Sequence, residues 1–221
     1  MNEIVFLKSM KISEKPYTTS LVISKYAGIE HRAIRQMINN YKDRLKKMGK
    51  VTFEMHPMPS GQKIKNYKLN EMQATFLITL LKNTERVVDF KERLTKQFYA
   101  MKEELMLRQL NRQQGKENHS CLTEAIKNSG ISEKYYFHYM NLAYKTTLGS
   151  SAKKLREERG ANKKSSPLDY LTSKELQSVA KREQEIAVLI GLGLGYERIK
   201  AILTSQGVIY QTTIKTPQNA N

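Results

Sequence analysis

The chain has 221 residues, and its 38 lysines and arginines outnumber its 21 aspartates and glutamates, which gives a formal net charge of +17. A surplus of that size indicates a polyanionic partner, and nucleic acid is the first candidate. Cys121 is the only cysteine, so an intramolecular disulfide is excluded and a reducing compartment is indicated. The N-terminal apolar stretch is too short for a signal peptide, and no run reaches the roughly 18 apolar residues of a membrane span. We therefore expect a cytoplasmic protein with no membrane partner.

The first 50 residues predict two helices behind a short extended segment. Apolar residues alternate loosely in the first fifteen positions, which predicts a strand or hairpin that Pro16 interrupts. Thr18 or Thr19 can cap a helix that ends at Gly28. A second helix is expected over about residues 30–47, because its apolar residues recur at spacings of three and four.

Two strands and two further helices complete the first half. Residues 51–56 and 64–69 are apolar at alternate positions, and the loop between them contains prolines and a glycine, as long hairpin loops do. Asn70 can cap a third helix over residues 71–81, and a fourth is expected to run to about residue 109. The polar stretch after it lacks a periodic pattern and contains Gly115, which predicts a domain boundary.

Two domains are therefore expected. Residues 1–110 form the first, residues 111–119 a linker, residues 120–210 a helical oligomerisation or partner-binding domain, and residues 211–221 a disordered tail. The second domain contains an aromatic helix over residues 133–145 and further helices over 173–190 and 196–203. Its aromatic residues could stack nucleobases, but a core or dimer surface fits them better. We expect the chain to form a homo-oligomer.

The order helix, glycine turn, helix, β-hairpin and helix is the layout of a winged helix-turn-helix. In this arrangement Ile34 and Met37 face the core from the second helix, and the other side of that helix is basic and amide-rich. The predicted fold class is mainly α with a small β-hairpin: an N-terminal winged helix-turn-helix plus a C-terminal all-helical domain.

The candidate DNA-binding residues lie on the outward face of the second helix, just after it, and on the second hairpin strand. Arginine can donate two hydrogen bonds to guanine, and Gln or Asn can pair with adenine, whereas lysine mainly neutralises phosphates. The alternatives are an ordinary solvated surface and, for the histidine, a structural hydrogen bond. The predicted residues are His31, Arg32, Arg35, Gln36, Asn39, Lys42, Lys46, Lys47, Lys63 and Lys65.

Two stretches resemble phage regulatory proteins of the Rha family. PYTTSLVISKYAGIEHRAIRQMI is similar to the family's TTS-led helix, turn and H-x-x-I/V segment. YKLNEMQATFLITLLKNTERVVDFKERLTKQFYAMK is similar to its hydrophobic helix and following helix, although LKNTER replaces the family's usual glycines near the end of the third helix. The resemblance covers residues 16–102. It implies a phage-encoded regulator with a proposed DNA-binding role, acting in the cytoplasm of a bacterial host cell.

The leading hypothesis is a DNA-binding transcriptional regulator of a phage or prophage, with double-stranded DNA as its partner. The alternative is an antirepressor-like protein that binds a phage or host repressor instead of DNA. An enzyme is not expected, because the sequence offers no catalytic cluster, no cofactor motif and no metal site beyond the neighbouring His119 and Cys121. The glycine-rich run 191–195 follows a helical stretch, whereas a dinucleotide-binding loop follows a strand.

Overall fold

The computed structural model describes residues 3–58 and 61–208, which are mainly helical with a small antiparallel sheet. The chain divides into two compact units. The first comprises Met1–Lys8 and Glu14–Glu103, and the second comprises Ser9–Ser13 and Glu104–Asn221. Each unit has its own hydrophobic core.

The first unit contains the sheet. In chain order its elements are β1 (Tyr17–Thr19), α1 (Ser20–Ala27), α2 (His31–Asn40), α3 (Lys42–Lys47), β2 (Thr52–Pro57), β3 (Lys63–Asn70), α4 (Glu71–Thr79) and the beginning of α5 (Glu85–Asn128). Both strand pairs are antiparallel, and the strand order is β1-β3-β2. β3 is therefore the central strand of this sheet and β2 an edge strand.

Local sequence signals account for both ends of α1 and for the start of α4. The Thr19 side chain accepts a hydrogen bond from the backbone N–H of Val22, and Gly28 ends α1 with a φ of 70°. Asn70 and Gln73 form a reciprocal capping box at the start of α4. The predicted first and third helices are thus confirmed.

The expected strand in the first fifteen residues is wrong for the described residues 3–15, which contribute only an isolated bridge from Phe6 to Tyr17. Ile4 instead packs irregularly in the core, where its carbonyl accepts a hydrogen bond from the Thr18 hydroxyl at 2.7 Å. The sheet gains β1 in its place, so it has a third strand in addition to the predicted hairpin. Both differences come from pairing between distant segments, which local alternation does not reveal.

The predicted helix over residues 30–47 is two helices. Tyr41 separates α2 from α3 with φ −106° and ψ 17°, away from helical values. Asn39 and Asn40, two weak helix formers, precede the break. The Tyr41 ring packs edge-on against Phe76 of α4, with ring centroids 5.8 Å apart, a tertiary contact that the periodic pattern does not contain.

The expected linker over residues 111–119 is also wrong, since these residues lie inside the 44-residue helix α5. The stretch has no proline and is rich in Gln, Arg, Lys and Glu, which favour helix, so Gly115 alone does not break it. Asn111 donates to the Ser173 carbonyl at 3.0 Å, and Arg112 pairs with Asp169 at 3.0 Å. The division between the units falls earlier in α5, after Glu103.

In its described residues the second unit is built of helices and their connections. The rest of α5 is followed by α6 (Tyr136–Leu148), α7 (Ala152–Glu158), α8 (Ser173–Gly191) and α9 (Tyr196–Ser205), with short 3-10 helices at Glu133–Tyr135 and Pro167–Tyr170. α6 packs chiefly against α8. Tyr139 and Tyr144 of the aromatic helix are buried, whereas Tyr135 and Phe137 are exposed. The expected tail over residues 211–221 lies outside the described residues.

Candidate nucleic-acid interface

A glycine turn joins α1 to α2. The backbone N–H groups of Gly28 and Ile29 both donate to the Ser24 carbonyl, and the Ser24 hydroxyl donates to the Ile29 carbonyl at 2.7 Å. Arg86 of α5 donates to the Tyr26 carbonyl at 3.1 Å and to the Lys25 carbonyl at 2.6 Å. The last carbonyls of α1 are thereby satisfied, which fixes the point from which α2 starts.

α2 has one apolar and one polar face. Ile34 and Ile38 are fully buried, while Met37, expected in the core, is half-buried against it. Arg35 is half-buried as well, and the remaining polar side chains of the outward face are exposed: Arg32, Gln36, Asn39 and Asn40. The register of the helix therefore presents Arg32, Gln36 and Asn39 to solvent, with Ile38 rather than Met37 as its second core position.

His31 is held in a hydrogen-bond network instead of facing solvent. Its Nε2 lies 2.9 Å from the Ser20 hydroxyl, which donates to Asn66 Oδ1 at 3.2 Å and accepts from the backbone N–H of Tyr67 at 3.0 Å. Because the single hydroxyl proton goes to Asn66, the His31 ring donates from Nε2. This arrangement favours the structural role of His31, since it ties the start of α2 to the start of α1 and to β3.

Burial, together with the positive charge of Arg35 and the nearby His56, lowers the pKa of His31 to about 4. The imidazole is therefore neutral at neutral pH. A neutral ring is poorly suited to attract a phosphate.

In the β2–β3 hairpin the edge strand β2 is largely exposed, and the hairpin carries both aromatic and cationic groups. Phe53 and Met55 of the edge strand are about half exposed, at 48% and 49%. The Phe53 ring packs edge-on against Tyr67 at 5.8 Å, and the ammonium of Lys65 lies over the Phe53 ring at 4.7 Å. Lys68 is neutralised by Glu54 at 2.7 Å. Lys63 and Lys65 are thus the free cations of the hairpin's described residues.

A cleft of about 380 Å³ lies between α2 and the hairpin. Five of the ten predicted residues line it, four of them cations, and none of its described lining residues is acidic. The lining residues are Arg35, Asn39, Lys42, Met55, Lys63, Ile64, Lys65 and Tyr67. A concave surface of this charge suits an anion such as a DNA phosphate.

The other predicted residues lie outside this cleft. Arg32 and Gln36 are exposed on α2, and Lys47 is exposed on α3. Lys46, also on α3, forms an ion pair with Asp43 at 3.1 Å, so its charge is partly neutralised. Among the described residues, none of Arg32, Lys47 and the four cleft cations has an acidic partner within 4.0 Å, which leaves these charges free for a ligand.

Sequence reasoning missed the residues that support this surface. Ser20, Asn66 and Tyr67 make the hydrogen bonds that connect α1, α2 and β3, and Met55 supplies an apolar wall of the cleft. Asn66 carries a usable signal, because a buried asparagine within a strand needs side-chain partners. The partners themselves are about 46 residues away in sequence, as in the Ser20–Asn66 pair, and no local pattern identifies them.

Two further properties concern the whole described part of the chain. No group of three or more His, Cys, Asp or Glu side chains within it is placed to hold a metal ion. None of its helices is both long and apolar enough to cross a bilayer.

Comparison with known families finds a match in the N-terminal half of the chain. The family model described as phage regulatory protein Rha matches residues 18–103, which confirms the resemblance noted over residues 16–102 and supports a phage regulatory protein. No curated protein matches the chain. The matched residues contain α1, α2, the hairpin and the cleft between them.

Proposed function

We propose that this phage regulatory protein binds double-stranded DNA through a winged helix-turn-helix. α1 and α2 are the two helices of the motif, α2 is the recognition helix, and the β2–β3 hairpin is the wing. The element order and the antiparallel β1-β3-β2 sheet support this assignment. The observation that carries the proposal is the cleft in which α2 and the hairpin bring Arg35, Lys42, Lys63 and Lys65 together, with no acidic side chain among the described residues that line it.

Within this proposal the residues divide into two groups. Arg32, Gln36 and Asn39 are exposed along α2 and have the donor and acceptor groups that read base edges in the major groove. Lys63 and Lys65 on the hairpin and Lys42 at the start of α3 neutralise phosphates, which fixes the position of α2 without reading sequence. His31 contributes by holding α2 in place.

We also propose that the second unit joins copies of the chain. A single helix-turn-helix reads a short site, and pairing two copies doubles the contacts. The second unit leaves large apolar side chains exposed: Tyr135, Phe137, Val188 and Leu192, with Phe137 at 62% and Leu192 at 71%. Side chains of this size lose unfavourable contact with water when a second copy covers them.

Direct titration tests the DNA-binding proposal. The full chain is added to fluorescently labelled double-stranded DNA of random sequence, and anisotropy is followed at several salt concentrations. Because the proposed contacts are largely ionic, we expect binding at low salt that weakens by orders of magnitude between about 50 and 200 mM salt. Absence of binding at low salt would contradict the proposal and favour the antirepressor alternative.

A further inference from the structure

We propose that Tyr67 orients Asn39 so that this side chain presents hydrogen-bond donors to DNA and rejects cytosine at one position of the site. The inference rests on the proposed DNA-binding role of α2 and names a specificity-determining pair within it. Tyr67 is the positioning residue, and Asn39 is the residue that touches the base.

The hydroxyl of Tyr67 donates to Asn39 Oδ1 at 3.2 Å. Tyr67 itself is fixed in the first unit: its side chain is buried, its backbone N–H donates to Ser20, and its ring packs edge-on against Phe53. Asn39 is exposed at the end of α2 and lines the cleft. A rigid group on β3 therefore holds one end of a side chain on the surface of α2.

The chemistry of the carboxamide gives this contact a direction. An asparagine side chain has a carbonyl that accepts and an NH₂ that donates, and a free one can turn either group outward. With Oδ1 engaged by Tyr67, the two N–H donors of Nδ2 remain for a ligand. In the observed arrangement the Tyr67 hydroxyl donates to Oδ1, so this bond holds the side chain with Nδ2 free before DNA binds.

Base edges in the major groove differ in whether they present an acceptor to a hydrogen-bond donor. Guanine presents the acceptors N7 and O6, adenine presents N7, and thymine presents O4, whereas cytosine presents the N4 amino group, a donor. A donor facing a donor leaves both unpaired in a desolvated interface, which is unfavourable. We therefore expect the base that Asn39 contacts to be any base except cytosine, with the purines preferred.

Selection from a random pool of double-stranded DNA tests the inference with the full chain. We expect the wild-type protein to select against cytosine at one position, and Asn39→Ala to abolish the preference at that position only. Tyr67→Phe removes one hydroxyl and keeps the packed ring. It should relax the exclusion of cytosine by about two- to tenfold, the worth of one hydrogen bond.

Two further variants sharpen the result. Tyr41→Phe is the matched control, because Tyr41 follows α2 directly and its hydroxyl makes no hydrogen bond within the described chain; it should keep the wild-type preference. Asn39→Asp keeps an acceptor for the Tyr67 hydroxyl and replaces the outward donors with an acceptor. It should turn the preference towards cytosine, whose N4 amino group can donate to a carboxylate. Because Asn39 is exposed, this variant tests whether Asn39 donates to a base even if Tyr67→Phe fails to fold.

The outcomes separate the two proposals. A wild-type chain that binds no DNA would overturn both. A chain that binds DNA but keeps its full preference in Tyr67→Phe, or a wild-type chain that selects cytosine at the position sensitive to Asn39→Ala, would overturn the role of Tyr67 and leave DNA binding intact.

Discussion

His31 and Arg32 are neighbours at the start of α2, and their environments are opposite. His31 is hydrogen-bonded to Ser20 and half-buried, while Arg32 is exposed and has no ion-pair partner among the described residues. One residue secures the helix and the next is available to a ligand. The sequence leaves a structural hydrogen bond open for His31, but only the fold supplies its partner, Ser20.

The low pKa of His31 predicts a pH-dependent stability. Unfolded, its imidazole takes up a proton near its ordinary pKa of 6.5, whereas in the folded protein it does so only near pH 4. Between these values the unfolded chain binds more protons, so stability falls as the pH is lowered. Urea unfolding at pH 7 and pH 5 should show a larger loss for the wild-type protein than for His31→Gln. Equal losses in the two proteins would contradict the burial of His31.

The free cations of the hairpin should contribute a part of the affinity for DNA that depends on salt concentration but not on DNA sequence. Changing Lys63 and Lys65 to glutamine should weaken binding to all DNA sequences alike, because phosphates are common to all of them. The slope of log affinity against log salt concentration should flatten by roughly one unit for each phosphate that the variant no longer neutralises. Anisotropy titrations on several sequences measure both quantities. Weakening confined to certain sequences would mean that the hairpin reads a groove.

The polar face of α2 could be predicted from the sequence because helical periodicity separates Ile34 from its outward neighbours. The hydrogen-bond network beneath that face could not be predicted from the sequence. Ser20, His31 and Asn66 meet only because β3 pairs with β1 and lies beside α1, and each hydrogen bond joins residues distant in sequence. The contact of Tyr67 with Asn39 could not be predicted from the sequence for the same reason.

Helix ends that side chains encode could be predicted from the sequence, whereas helix continuity that depends on packing could not. Thr19, Gly28 and Asn70 mark the ends of helices through their own hydrogen bonds or backbone angles. Residues 111–119 look like a linker because they lack an apolar stripe. Polar side chains anchor them instead: Asn111 is buried although it is not apolar, and it bonds to the Ser173 carbonyl.

Replacement of Gly115 by alanine tests whether α5 is continuous. A glycine inside a helix is destabilising relative to alanine, and a Cβ at this position would meet no atom within 4 Å. Gly115→Ala should therefore raise the free energy of unfolding by about 0.5–1 kcal/mol in urea titrations. No change would favour a flexible linker.

Gly28→Ala is the contrasting variant for the same measurement. Gly28 has a φ of +70°, and a Cβ there would lie 2.8 Å from the Arg86 side chain that caps α1. This substitution should destabilise the protein. The free energy of unfolding should therefore rise in Gly115→Ala and fall in Gly28→Ala.

At the scale of the whole molecule, the exposed apolar side chains of the second unit predict self-association. Light scattering on the full chain should give a dimer or a larger oligomer. Replacing Phe137 and Leu192 by aspartate should lower its mass to that of a monomer, because buried unpaired carboxylates oppose the interface.

Tyr99 of α5 is exposed at 66%, and Tyr99→Asp tests whether the interface lies on the long helix instead. If Tyr99→Asp dissociates the oligomer and the Phe137 and Leu192 variant does not, the interface lies on the long helix. A monomeric wild-type chain would contradict self-association altogether.

Charge reversal on α2 tests directly whether this helix binds DNA. Arg32→Glu with Arg35→Glu is compared with Lys153→Glu and Lys154→Glu, two exposed lysines of α7 that change the net charge by the same amount. Affinity for double-stranded DNA is measured by anisotropy, with thermal unfolding to verify folding. We expect the α2 variant to lose binding and the α7 variant to keep most of it. Equal affinities in the two variants would show that net charge alone attracts DNA and would contradict a role for α2.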